Sequence, residues 1–210
     1  MKSSPRYLTR VFHLLAAAPT VLVALGAMPQ HTAPHPPTGD IVLGIDPAQS
    51  KLHWTLGTTL HTVHGTFAFK NGTVHLDPAT GKANGEIIVY ATSGDSGNDS
   101  RDKKMHKEVL ESAQYQDVVF RPDRVEGKVA PRGTFAVQVH GICVLHGSEH
   151  ELTVPVQAEF AGDRWTGSAK FSIPFIDWGL KNPSSFLLKV NHAVEIELEL
   201  KGRLETGRAQ

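Results

Sequence analysis

Apolar and polar residues alternate along most of this chain, in short runs that are separated by turn-forming residues. The clearest run is the last, Val194 to Lys201, in which every second residue is apolar and its neighbours are charged. The run from Leu152 to Phe160 has the same period of two. One dry face and one wet face in each run are typical of antiparallel sheet. The pattern predicts eight or nine antiparallel strands.

Turn-forming residues separate several of these predicted strands. Asp77 to Gly81 reads Asp-Pro-Ala-Thr-Gly, a sequence that favours a turn. Asn71-Gly72 is the strongest short hairpin signal in the chain, because both positions accept a positive φ. We therefore predict a β-hairpin that turns at Asn71-Gly72.

One segment departs from the alternating pattern and predicts a short helix over about residues 99–111. Asn98 or Asp99 can cap this helix by accepting hydrogen bonds from the free amides of its first turn. Met105, Val109 and Ala113 form a narrow apolar stripe among charged residues. Such a stripe indicates a helix that lies on a surface or closes an opening.

Eight antiparallel strands with short turns can close into a barrel, which removes exposed sheet edges. A barrel of this size is filled by side chains or holds one small ligand. Gly65, Gly167, Ala158 and Ala169 lie among the large inward-facing residues and would leave space along the axis. We therefore predict an all-β fold, an antiparallel eight-stranded barrel with one short helix, and an apolar tunnel inside it.

A tunnel of this kind would be lined by the large apolar residues of the alternating runs. The candidate ligand-binding residues are Trp54, Phe67, Val89, Phe120, Phe135, Val137, Val154 and Phe171. Arg101 and Lys104, near the predicted helix, could meet a polar or phosphate head group at the barrel mouth. A solvated helix face is the alternative for these two cations.

Charge and cysteine content narrow the classes of function. The chain of 210 residues carries 21 basic and 21 acidic side chains. It has no clustered basic face for nucleic acid, so no nucleic-acid partner is predicted. Cys143 is the only cysteine, which excludes an internal disulfide.

The N-terminus resembles a secretory signal. Lys2, Arg6 and Arg10 precede the mostly apolar stretch Val11 to Ala27, and Ala24-Leu25-Gly26 supplies small residues for cleavage. We assign residues 1–27 to a signal peptide, 28–40 to a disordered Pro-rich linker and 41–205 to the barrel domain. An uncleaved N-terminal membrane anchor is the alternative, and either assignment places the domain outside the cytoplasm.

The tetrapeptide Gly94-Asp95-Ser96-Gly97 also occurs around the nucleophile of chymotrypsin-type proteases. That serine acts only with a histidine base and a buried aspartate, and the flanking residues do not match here. Loop chemistry explains the glycines and the two polar residues better. No catalytic residue is predicted, and a serine hydrolase using Ser96 is kept as an alternative function.

Histidine and cysteine residues raise the question of a metal site. Cys143, His146 and His150 lie close in sequence, as do His61 and His64. Zinc prefers such ligands, but Cys143 lies in an apolar run and is better explained as a buried inert thiol. No metal site is predicted, and a metal-dependent hydrolase stays the second enzymatic alternative.

Several short motifs together resemble the YceI-like family of lipid- and polyisoprenoid-binding proteins. They are Ser93 to Asn98 followed by Arg101-Asp102, Leu145-His146-Gly147 with Leu152 to Val156, Gly65-x-Phe67, Tyr115, Phe120, and Asp177-Trp178-Gly179. Their order and spacing cover about Val42 to Leu204. Two positions depart from the family pattern: Gly94 replaces a larger apolar residue, and Gln116 stands where proline is usual.

The resemblance implies an elongated lipocalin-like barrel, periplasmic or secreted, that holds a polyisoprenoid or other amphiphilic lipid such as a quinone or its precursor. It also implies a homodimer and no catalysis. A lipid carrier would make transient contact with a membrane, and no cofactor other than a bound isoprenoid lipid is expected. The non-enzymatic alternative is a structural or interaction barrel whose core is solid.

Overall fold

The computed structural model describes residues 39–206, which form ten strands, one short α-helix, one 3-10 turn (Ala91–Ser93) and one π turn. The strands are β1 (Ile41–Ile45), β2 (Lys51–Gly57), β3 (Thr62–Phe67), β4 (Phe69–Leu76), β5 (Ala83–Tyr90), β6 (Asp117–Glu126), β7 (Gly133–Leu145), β8 (Ser148–Ala161), β9 (Arg164–Ile173) and β10 (Val194–Thr206). The predicted signal peptide and most of the predicted linker lie outside the described residues. No helix among the described residues is long and apolar enough to cross a bilayer.

The sheet closes on itself with eight strands around the barrel. The antiparallel order is β1-β4-β5-β6-β7-β8-β9-β10, and β10 pairs back onto β1. Along β10, Gly202 pairs with Ile45 of β1 and Glu199 pairs with Lys51 of β2, so β1 and β2 lie end to end beside β10 and share one position in the barrel. On their other side, β2 pairs with β3 and β1 pairs with β4, so β3 and β4 share the next position. The predicted all-β, eight-stranded antiparallel barrel is confirmed.

The hairpin predicted at Asn71-Gly72 is wrong. Both residues lie inside β4, where Gly72 pairs with Ile87 of β5. Ala68 is the only residue between β3 and β4, and the register on β5 shifts between Phe69 and Asn71. The reason is that β4 is hydrogen-bonded to β1 on one side and β5 on the other. Those pairings, with the burial of Phe69 and Leu76, outweigh the local preference for a turn.

The predicted helix is present but shorter than expected. Helix α1 (Asp99–Lys104) continues into a single π turn (Met105–Val109), and the Asn98 side chain accepts a hydrogen bond from the Arg101 amide at 3.0 Å. The predicted apolar stripe fails at Ala113, which is exposed. The helix has ended before Ala113, and Ser112 is buried instead of Ala113. The Ser112 hydroxyl lies 3.0 Å from His106 Nδ1.

The connections sort into the two ends of the barrel. Residues 58–61, 91–116, 146–147 and 174–193 connect strands at one end, which we call the mouth. Residues 77–82, 127–132 and 162–163 connect them at the other. The far end holds a packed cluster that includes Ile41, Val129, Phe160 and Trp165.

Candidate ligand-binding cavity

An apolar cavity of about 570 Å³ lies inside the barrel. All ten strands contribute side chains to its wall, because the period-two pattern turns one apolar face of each strand inward. Helix α1 and the π turn add Arg101, Lys104, Met105 and Val109 at the mouth. The volume lies within the range usual for small-molecule sites, and the apolar wall with a few polar groups is typical of them.

The structure places all eight candidate lining residues on the wall of this cavity. They are Trp54, Phe67, Val89, Phe120, Phe135, Val137, Val154 and Phe171. They come from β2, β3, β5, β6, β7, β8 and β9, so they surround the lumen. Their contact with a ligand remains a prediction.

Small residues open the lumen at only two of the four positions expected from sequence. Ala158 and Ala169 line the cavity. At Gly65, by contrast, an added Cβ would overlap the ring of Trp54, and at Gly167 it would lie 3.1 Å from Cζ3 of Trp165. The two glycines therefore accommodate tryptophan rings that fill the barrel wall.

Pattern reasoning missed Phe175 and Leu180, which also line the cavity. Both are buried and pack in a cluster with Val109, Cys143 and Leu145. They lie in the irregular segment 174–193, where no regular period relates a residue to a face of the sheet. The only signal in the sequence was apolar character itself, which does not show on which side of a loop a residue lies.

The two head-group candidates lie at the mouth and line the cavity. The Arg101 Nε–H donates to Ser96 Oγ at 2.7 Å, and an Nη2–H donates to the Ser96 carbonyl at 2.8 Å. A guanidinium has five N–H donors, so three remain for other acceptors. Lys104 Nζ lies 3.5 Å from the carbonyl of Pro183. The mouth thus presents two cations beside an apolar lumen.

Ser96 has structural partners rather than those of a nucleophile. Its hydroxyl donates to Asp102 and accepts from Arg101, and its amide donates to Asp102 at 3.1 Å. Burial alone would raise the pKa of Asp102, but the Ser96 hydrogen bonds and the charge of Arg101 hold it below its usual value. The nearby His106 instead bonds the Gly94 carbonyl and Ser112. A serine–histidine pair is not formed at Ser96 within residues 39–206.

The histidines near Cys143 each have another partner. His146 Nε2 lies 2.7 Å from a carboxylate oxygen of Glu111, and the ring of His150 stacks on Trp178 at 4.2 Å between centroids. Within the part of the chain that the structure describes, no three His, Cys, Asp or Glu side chains come together as a set of metal ligands. Cys143 itself is buried in the cavity wall, and burial raises the pKa of its thiol to about 11.

Known proteins resemble this chain over most of its length. Residues 44–202 match the model of the YceI-like domain family. Among solved structures, BcnA of Burkholderia cenocepacia is 19% identical, with a TM-score of 0.63 over 75% of this chain and 99% of its own. A polyisoprenoid-binding domain from Saccharophagus degradans, implicated in plant cell wall breakdown, is 16% identical, with a TM-score of 0.58 over 79% and 98%.

A third structure, a YceI protein of Campylobacter jejuni, is 17% identical, with a TM-score of 0.50 over 66% of this chain and 84% of its own. At these identities the three structures demonstrate a shared fold and nothing finer. No curated protein matches the chain.

Proposed function

The chain belongs to the YceI-like family, and from that premise we propose that it is an exported binding protein that holds a polyisoprenoid or another amphiphilic lipid, such as a quinone or its precursor, inside the barrel. The observation that carries the proposal is the apolar cavity of about 570 Å³. Support also comes from the second solved structure, which is named a polyisoprenoid-binding domain. A barrel with a solid core is not consistent with a cavity of this size.

Affinity would come from removing the ligand's hydrocarbon chain from water. Burial of apolar surface contributes about 25 cal/mol per Å², and the wall offers few polar groups that would have to be desolvated. The eight aromatic and valine side chains around the lumen are the proposed contacts for the chain. Arg101 and Lys104 would orient a polar or anionic head group at the mouth.

Export and assembly are further parts of the proposal. A periplasmic or secreted location is supported by the basic and apolar character of residues 1–27 and by membership of the family. A lipid ligand would be loaded or delivered through transient contact with a membrane. The homodimer is proposed from the family resemblance, and light scattering on the purified protein would measure its mass. We propose no catalytic residue and no metal.

The proposal is tested by purifying the native protein from the cells that produce it, extracting the purified protein with organic solvent, and analysing the extract by mass spectrometry. We expect an isoprenoid or other long-chain lipid at a fixed ratio to protein, and uptake of added polyprenol or quinone by the delipidated chain. The proposal would be contradicted if no lipid co-purified and the delipidated chain took up none of the added lipids.

A matched pair of variants shows whether the lipid lies in the lumen. Ala169→Phe adds a ring to the cavity wall, whereas Ala136→Phe adds one to the exposed outer face of β7. We expect at least a tenfold loss of lipid uptake for Ala169→Phe and wild-type uptake for Ala136→Phe. Wild-type lipid uptake by both variants would place the lipid outside the barrel. Thermal unfolding of each variant controls for loss of fold.

A further inference from the structure

Three large apolar side chains are exposed at the mouth. Phe186 is 95% exposed, Leu187 79% and Leu60 72%. Among the described residues, the only other exposed large hydrophobic side chain is Tyr90, at 39%. Such exposure concentrated at one end of a molecule marks a surface that contacts something other than water.

The first two residues form the tip of a tight turn. The Ser185 N–H donates to the Leu188 carbonyl at 2.8 Å, and the Leu188 N–H donates to Ser185 Oγ at 3.2 Å. These bonds hold the two ends of the turn together and place Phe186 and Leu187 between them, facing solvent. The exposure is therefore built into an ordered turn.

Leu60 lies on a neighbouring turn that is bonded to the first. The Thr58 hydroxyl donates to the His61 carbonyl at 2.6 Å, which closes the turn around Leu60. The Thr59 N–H donates to the Lys189 carbonyl at 3.0 Å, and the Lys189 N–H donates to Thr59 Oγ1 at 3.3 Å. The two tips therefore belong to one structural unit.

The bases of the same two turns line the cavity. Thr58 and His61 contribute from the first turn, and Leu188 and Val190 from the second. The exposed tips and the apolar lumen are therefore joined through a few residues of the same segments. A partner that binds the tips would therefore lie close to the residues that line the cavity at the mouth.

Charge around the tips points to the nature of the partner. Residues 58–61 and 181–192 contain Lys181 and Lys189 and no acidic residue. Lys181 pairs with Glu108 at 2.8 Å, while Lys189 makes no ion pair among residues 39–206. Exposed lysine beside projecting aromatic and aliphatic side chains matches the anionic surface and apolar interior of a phospholipid bilayer.

We propose that Leu60, Phe186 and Leu187 insert into the surface of an anionic lipid bilayer, with Lys189 against its head groups, and that the cavity mouth faces that bilayer. This docking surface deepens the proposed function and rests on it for its purpose, since an apolar ligand could then pass between bilayer and lumen without crossing water. Binding to the bilayer itself can be measured without any cavity ligand.

Insertion is tested with full-length protein carrying Phe186→Trp or, at the far end of the barrel, Lys128→Trp. Each is mixed with phosphatidylcholine vesicles that contain phosphatidylglycerol and lipids brominated on their acyl chains. We expect bromine to quench the added fluorescence of Phe186→Trp and not that of Lys128→Trp. Residues 1–38 are present in both variants, so any vesicle binding by this segment is the same in the two measurements. The absence of quenching for Phe186→Trp would overturn the proposal.

Affinity is tested by vesicle sedimentation. We expect Phe186→Ser/Leu187→Ser to weaken binding at least tenfold, Lys189→Glu to weaken it severalfold in low salt only, and Lys128→Glu to bind as the wild type does. Wild-type binding by the double variant would overturn the proposal. The proposal would also be overturned if the wild type were a dimer that does not bind vesicles and the double variant were a monomer, since the surface would then join two copies of the chain.

Lipid extraction from the same variants separates the two proposals. If docking fails but lipid is recovered from the cavity, the docking surface is refuted and the proposed function stands. If docking succeeds and no lipid is ever found or taken up, the proposed function is refuted and the membrane surface stands.

Discussion

Gly202 lies at a close contact between β10 and β1, the pair of strands that closes the barrel. It lies on β10 between Ile45 of β1 and Trp165 of β9. A Cβ added there would overlap the carbonyl oxygen of Gly44 and lie 2.7 Å from Trp165 Nε1. The Trp165 indole N–H donates to that same carbonyl at 3.0 Å. A side chain at this position would therefore displace both the strand pairing and the hydrogen bond.

We expect Gly202→Ala to lower the free energy of unfolding by about 1–3 kcal/mol, the usual cost of overpacking. Urea unfolding monitored by circular dichroism measures the change. Gly44→Ala is the control, because a Cβ there would meet only the Arg203 carbonyl oxygen, at 3.9 Å. If both variants lose the same stability, the cost is a general effect of alanine in this part of the sheet and not of the close contact.

At the scale of elements, the Asp102 carboxylate is one of the groups that hold the loop before α1 to the helix. Asp102 accepts from the Ser96 hydroxyl and amide, and Arg101 bonds Ser96 from the other side. The pKa of Asp102 is lowered, so its charged form is favoured by folding. Its contribution is therefore complete above about pH 4, the usual pKa of the unfolded carboxyl, and is lost as the pH falls through the folded value.

We expect the amides of residues 96–102 to lose hydrogen-exchange protection at pH 3, relative to pH 6 and after correction for intrinsic rates, before the strands do. Asp102→Asn should show that loss already at pH 6. Asp99→Asn is the matched control, since Asp99 lies on the same helical turn, is exposed, and does not bond the loop. Unchanged protection in Asp102→Asn would show that the loop is held by its other contacts.

Elements with a strict period were predictable from sequence, and those without one were not. In β10, Ile196 and Leu200 are buried and their glutamate neighbours exposed, as the alternation predicts. Asn71-Gly72 misled because a local turn preference of a few residues competes with two strand pairings that the local sequence does not show. Phe175 and Leu180 were missed because burial in an irregular loop depends on the elements packed beneath it.

At the scale of the whole molecule, the packed cluster at the far end of the barrel also forms part of the cavity wall, because Val129, Phe160 and Trp165 line the cavity. Phe135 and Phe160 pack edge to face at 4.9 Å in the far cluster, while the lumen holds about 570 Å³. Sequence could predict that small residues leave space in such a barrel. It could not predict that Trp54 and Trp165 would fill the space beside Gly65 and Gly167, since that depends on side-chain directions across strands.

The reactivity of Cys143 can report whether a ligand occupies the cavity. Cys143 is the only cysteine, it is buried, and it lines the cavity. Burial disfavours the thiolate and raises the pKa of the thiol to about 11. At pH 8 only about one thiol in a thousand would then be ionised, and the thiolate is the form that reacts.

We expect Cys143 to react slowly with iodoacetamide at pH 8, and the rate to rise about tenfold for each pH unit up to pH 10, because each unit raises the thiolate fraction tenfold. Filling the lumen with polyprenol or quinone should slow the reaction further by excluding the reagent. Mass spectrometry of the alkylated chain measures both rates, with urea-unfolded protein as the fast reference and Cys143→Ser as the blank. A native thiol that reacts as fast as the unfolded one at pH 8 would refute its burial. A rate that bound lipid leaves unchanged would show that the lipid does not reach this part of the wall.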